Sequence, residues 1–114
     1  MKKIFKQLFR QMDMYDIDLE TLYKMKARGA KIVDVRSSRE YAEGHISGSI
    51  NIPDYEINKK FYNIFTNFNQ LIVLYCSTGK RSKSACRKLI RKGYQNIYNL
   101  FQLCAFAEFL IVLK

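Results

Sequence analysis

Leu71-Ile-Val-Leu-Tyr-Cys76-Ser-Thr-Gly-Lys-Arg81-Ser82 is the stretch that decides the fold. Leu71 to Tyr75 is a short continuous apolar run with a β-branched pair, Ile72 and Val73. That composition suits a strand covered on both faces, in the middle of a sheet. From Ser82 the spacing changes. Ala85, Cys86, Leu89 and Ile90 recur at helical intervals, with Lys83, Arg87, Lys88, Arg91 and Lys92 opposite them, until Gly93. A six-residue turn, Cys76 to Arg81, is therefore expected to carry the chain from a buried strand into a basic helix.

This position gives Cys76 a candidate chemistry. Backbone N–H groups of a tight turn entering a helix point at whatever anion occupies the turn, and the helix dipole adds partial positive charge. Lys80 and Arg81 add full charges. Thiolate is favoured over thiol in such surroundings, so Cys76 is read as a nucleophile. A small buried core cysteine at a strand end is the bland alternative, and Gly79, Lys80 and Arg81 weigh against it.

Length and composition bound the rest. At 114 residues the chain is sized for one domain with a core that needs neither disulfides nor metal. Its 48% hydrophobic and 14% aromatic content excludes a disordered chain. Cys76, Cys86 and Cys104 form no disulfide framework and no Cys-x-x-Cys pair. With His45 as the single histidine, a conventional Cys/His zinc site is excluded, and no metal or cofactor is expected. The expected compartment is reducing, hence cytoplasmic. Met1 to Arg10 begins like a signal-peptide n-region, but no apolar run follows, so residues 1–13 are expected to be an extension or short helix and 14–114 the domain. Leu103 to Leu113 is too short to span a membrane and Glu108 interrupts it, so a packed final helix is expected there.

Taken in order, Asp18 caps a helix from Leu19 to Arg28 that Gly29 stops. Lys31 to Val35 is a strand. Ser37-x-x-Glu40 is a capping box for a short helix to Glu43, closed by Gly44. Ile50 to Ile52 is a brief strand ended by Pro53. Tyr55 to Phe65 places Ile57, Phe61, Ile64 and Phe65 on one helical face. Ile97 to Leu100 is the last strand. Strands alternating with helices imply a largely parallel sheet with helices on both faces, and in such sheets ligands bind beyond the carboxyl ends of the strands. The loop from Cys76 leaves such an end.

Several motifs in order resemble a known family. Val33-Asp34-Val35-Arg36, Glu40-Tyr41, Gly44-His45-Ile46-x-Gly48-x-Ile50-Asn51-Ile52-Pro53, Tyr75-Cys76-x-x-Gly79-x-Arg81-Ser82-x-x-Ala85, and Gly93-Tyr94 with Asn96 to Leu100 are similar to a single-domain rhodanese, over about Asp18 to Leu100. The resemblance implies a three-layer α/β sandwich around a mostly parallel five-stranded sheet. It implies sulfur transfer through a persulfide on Cys76, with Ser77, Thr78, Gly79, Lys80 and Arg81 as the active-site loop, Lys80 and Arg81 facing the anionic donor. Asp34, Arg36 and His45 match positions read as structural or pocket-edge, with His45 bonded to backbone. After Leu100 the chain departs from the family's pattern: Phe101-Gln102 stands where a Gly-Gly pair is usual, and the chain has no tryptophan.

The charge balance is basic, 20 Lys and Arg against 10 Asp and Glu, and seven of the thirteen residues from Lys80 to Lys92 are cationic. Such a field suits a small anionic sulfur donor or an acidic protein partner. Nucleic acid is not the expected partner, because no aromatic-interleaved platform accompanies the lysines. A solvated helix face accounts for part of the pattern. The expected activity is therefore sulfane sulfur transfer from thiosulfate or a persulfide to cyanide, sulfite or a thiol. The alternatives are a cysteine-dependent phosphatase or arsenate reductase, against which only four residues separate Cys76 from Arg81, and a non-catalytic rhodanese-like interaction module.

Overall fold

The computed structural model describes residues 15–101 and the strand Ile111–Val112. The strand at the centre of the sequence reading is the centre of the sheet. The strands are β1 (Asp16–Ile17), β2 (Lys31–Asp34), β3 (His45–Ile46), β4 (Ile50–Asn51), β5 (Ile72–Tyr75), β6 (Ile97–Leu100) and β7 (Ile111–Val112). The helices are α1 (Leu19–Ala27), α2 (Ser38–Glu43), α3 (Ile57–Ile64, after a 3-10 turn at Asp54–Glu56) and α4 (Lys80–Arg91). Five strands form one parallel sheet in the order β1-β6-β5-β2-β4. β5 is third of five, and all four of its residues are buried. Among the described residues no helix is long and apolar enough to cross a membrane.

The alternation of β5 divides the core in two. Ile72, Leu74 and then Cys76 face one side, with Val33, Val35 and Ile52 beside them and Ile57, Phe61, Ala85, Cys86 and Leu89 of α3 and α4 above. Val73 and Tyr75 face the other side, with Ile32, Ile46 and Leu22 of α1. Register is fixed by this pattern, since a one-residue slip would turn every buried side chain of the strand to the wrong layer. The consequence for function is direct: Cys76 continues the row that lies under α4.

Local signals explain most element ends. Asp18 accepts the Thr21 N–H at 2.8 Å to start α1, and Ser37 and Glu40 form the expected reciprocal box at the start of α2. Four expectations change. The basic helix starts at Lys80, two residues before Ser82, because Gly79 sits as its N-cap in the left-handed region (φ 88°), which glycine adopts without steric cost. The turn from strand to helix is therefore four residues, Cys76–Gly79. In α3 the buried face is Ile57 and Phe61; Phe65 joins the core from the non-helical C-cap, and Ile64 remains 47% exposed. A fifth sheet strand, β1, lies at the edge beside β6, where the sequence showed no strand. Finally, residues 111–112 are strand rather than the end of a helix, and β7 pairs antiparallel with β3 through His45↔Val112. The rest of the expected final helix, the extension at 1–13, and Cys104 lie outside the described residues.

Candidate active site

Cys76 has no exposed surface, and its sulfur is surrounded by the start of α4. The Gly79 N–H points at Sγ from 3.1 Å and the Ser82 N–H from 3.4 Å, with Ser82 Oγ also at 3.4 Å. Two backbone donors at a helix start, aimed at one sulfur, are the anion-directed arrangement that the turn implied. The left-handed Gly79 makes it possible, because it turns its own N–H inward and lets Ser82 follow in the first turn of the helix.

The loop residues are placed unequally. Ser77 is half-buried, Thr78 and Lys80 are exposed, and Gly79 is buried. Arg81 does not stand free at the mouth. Its guanidinium grips Glu40 of α2 through both nitrogens, at 2.8 and 3.0 Å, and lies 3.5 Å from Ser77 Oγ. The fork holds the Glu40 carboxyl at about 2, well below the usual carboxylate range, while Glu40 raises Arg81 in turn. Glu40 thus serves two elements, closing the α2 cap through Ser37 and tying the first turn of α4 to α2. Beside the loop, the Arg81 charge is thus engaged by a carboxylate.

Asp34, Arg36 and His45 are not brought to the sulfur. Asp34 accepts from Arg36 Nε and Nη2, with the shortest contact at 2.7 Å, and from Tyr75 Oη at 2.7 Å. Tyr75 belongs to the α1 side of the sheet, opposite Cys76. Arg36 also donates to Gly44 O, and Tyr75 Oη receives the Ile46 N–H, so the cluster pins the loop that carries β3. Burial, then the Asp34 charge, raise the Tyr75 hydroxyl above its ordinary value, so it remains a neutral donor. The His45 ring stacks on Tyr41 at 3.6 Å and its Nδ1 is hydrogen-bonded with Tyr41 O at 2.8 Å, the backbone-bonded arrangement.

Three residues near the sulfur escaped the sequence reading. The motifs contain Ser82 and Asn99 but give neither a role, and nothing in the sequence points to Asp16. A signal existed for Ser82, which falls three residues before Ala85 and is the one polar residue on the buried face of α4. Asn99 follows Ile97 with strand period on the α4 side of the sheet and is 1% exposed, a placement that requires hydrogen-bond partners. The other cysteine in the described residues, Cys86, is a core residue whose Sγ approaches Tyr98 O at 3.4 Å. Phe101, at the departure from the family's pattern, continues the edge pairing through its N–H to Ile17 O, with Lys83 Nζ 5.8 Å from the centre of its ring.

Known proteins are similar to this chain in sequence and in fold. The pattern of the Rhodanese-like domain matches residues 18–101. A thiosulfate sulfurtransferase GlpE of Pseudomonas entomophila is 31% identical over 84 residues, covering 74% of this chain and 75% of that protein. A putative sulfur carrier protein YrkF of Bacillus subtilis is 33% identical over 88 residues, covering 75% of this chain and 46% of that protein. Among solved structures, the human single-domain sulfurtransferase TSTD1 superposes with a TM-score of 0.68 at 28% identity, covering 77% of this chain and 89% of that one.

Proposed function

Because the chain belongs to the rhodanese-like domain family, we propose that it is a sulfurtransferase whose nucleophile is Cys76. The Cys76 thiolate attacks the outer sulfur of thiosulfate or the sulfane sulfur of a persulfide. The donor's S–S bond breaks, sulfite or a thiolate leaves with the electron pair, and Cys76 holds the transferred sulfur as a persulfide. A thiophilic acceptor, which is cyanide, sulfite or a thiol, then attacks the terminal sulfur, and the Cys76 thiolate is the leaving group.

The observation that carries this reading is the pair of backbone N–H groups, from Gly79 and Ser82, converging on Sγ. Anionic sulfur is stabilised there without a cationic side chain in contact, and the donors need no reorganisation during transfer. Since Cys76 has no exposed surface, the active-site loop must shift to admit the donor. The Lys and Arg residues of α4 supply the field that draws a small anion, or an acidic protein bearing the sulfur, toward the loop. The phosphatase alternative is disfavoured by the same geometry. The turn has four residues before the helix, and the guanidinium that would clamp a tetrahedral oxyanion is held by Glu40.

Single substitution of each cysteine tests the assignment. Cys76→Ser should abolish sulfur transfer to cyanide, whereas Cys86→Ser and Cys104→Ser should retain most of it. Activity persisting in Cys76→Ser would sink the proposal, and so would aryl phosphate hydrolysis at an enzyme-like rate that requires Cys76.

A further inference from the structure

The Cys76 sulfur is one end of a hydrogen-bonded line that crosses α4, β6 and β1. Ser82 Oγ, 3.4 Å from Sγ, donates its proton to Asn99 Oδ1. Asn99 Nδ2 donates to Asp16 Oδ1 at 2.8 Å, with a longer contact to Gly79 O at 3.4 Å. Asp16 Oδ2 meets Lys83 Nζ at 2.8 Å, and the Asp16 side chain has no exposed surface. The line has a direction, and Asp16 sets it. A carboxylate only accepts, so the amide nitrogen of Asn99 must face Asp16 and the amide oxygen must face Ser82. A hydroxyl has one proton, which goes to that oxygen. Ser82 Oγ therefore presents lone pairs to the sulfur.

We propose that Asp16 and Asn99 are positioning residues for sulfur transfer: they fix the Ser82 hydroxyl as an acceptor toward Cys76, able to accept a hydrogen bond from the thiol and unable to donate one to the thiolate. This rests on the reading of Cys76 as nucleophile. Hydrogen bonding to anionic sulfur is then left to the Gly79 and Ser82 N–H groups, while the Ser82 hydroxyl favours the thiol form.

Among the described residues, the other charged groups around the sulfur form no such line. Arg81 of α4 is bonded to Glu40 of α2, and its charge also acts on the Cys76 sulfur and on Asp54 before α3, without a hydrogen bond to either. Lys80 is exposed, and Asp34 of β2, bound to Arg36, lies across the sheet. The Asp16 and Lys83 charges act on the sulfur through each other and through Asn99.

Iodoacetamide alkylation of the full chain tests the proposal, with Cys76 followed by peptide mass and its rate measured from pH 5 to 10. Asn99→Leu keeps every charge and releases the Ser82 hydroxyl to turn toward sulfur. The midpoint of the alkylation profile should fall by about one pH unit, roughly tenfold in rate below the midpoint. Ser82→Ala removes the acceptor, and the midpoint should fall there too; in that background Asn99→Leu should move it no further. A Ser82→Ala midpoint that fails to fall overturns the proposal by showing that the hydroxyl is not an acceptor, and it does so even if Asn99→Leu does not fold. An equal shift from Asn99→Leu with and without Ser82 overturns it as well, since loosened packing would then be the cause. The readout needs no sulfur transfer, so loss of the sulfurtransferase reading would appear elsewhere, as failure of Cys76 to take up sulfur.

Discussion

Replacing Glu40 by glutamine asks whether the Arg81 charge belongs to the sulfur donor or to the fold. In the parent, both Arg81 nitrogens are spent on the Glu40 carboxylate, so the pair is close to neutral as seen from the loop. Glutamine can still accept the Ser37 N–H and keep the α2 cap, but it leaves the guanidinium uncompensated. A unit charge acting on an anion across a solvated loop is worth about 0.5–1 kcal/mol, given about 1 kcal/mol at 4 Å in water. That corresponds to roughly two- to fivefold in KM for thiosulfate. Glu40→Gln should therefore lower KM by such a factor. Arg81→Gln should raise it similarly, because Glu40 then stands unpaired, and the double variant should return close to the parent. Steady-state sulfur transfer to cyanide at low ionic strength is the assay, since salt near 0.1 M screens charges beyond about 10 Å. A double variant with KM as high as that of Arg81→Gln would refute the reasoning, because it would mean that Arg81 contacts the donor itself.

The same pair predicts an acid-side loss of stability. Glu40 is depressed in the folded protein from 4.5 to about 2, so its contribution is fully present above the unfolded value and disappears as pH falls through the folded one. The pair is about a third exposed, at 38% and 33% for the side chains, so solvent screening limits the effect to about 1 kcal/mol. Urea unfolding between pH 5 and 2 should show that loss in the parent and not in Glu40→Gln. On the other side of the sheet, Asp34→Ala should cost about 3–5 kcal/mol in urea unfolding at pH 7, because it leaves the buried Arg36 guanidinium unpaired. Adding Arg36→Met should restore part of it. A cost for Asp34→Ala below about 1 kcal/mol would show that the cluster does not hold the β3 loop.

What was legible in the sequence is what local chemistry determines. The apolar run at Leu71 to Tyr75 suits a central strand, the Ser37 and Glu40 spacing suits a capping box, and Cys76 at the strand end leads to the site. What was hidden depends on pairs distant in the chain. Glu40 bonds Arg81 across 41 positions, and Asn99 bonds Asp16 across 83; neither spacing leaves a periodic trace. β1 is two residues, half of them acidic, and exists because β6 offers it an edge. The early start of α4 leaves no trace in the apolar spacing, because its N-cap is a glycine, which carries no side-chain cap hydrogen bond. Ser82 itself is the instructive case, a serine in a basic helix that lies buried against the sulfur.

Intact mass after exposure to thiosulfate tests the central claim most directly. The parent should gain one sulfur atom, about 32 Da, mapped to Cys76, and cyanide should remove it with release of thiocyanate. Cys76→Ser should gain nothing. A parent that stays unmodified under thiosulfate and under a low-molecular-weight persulfide, or one that carries the added sulfur on Cys86 or Cys104, would contradict the account.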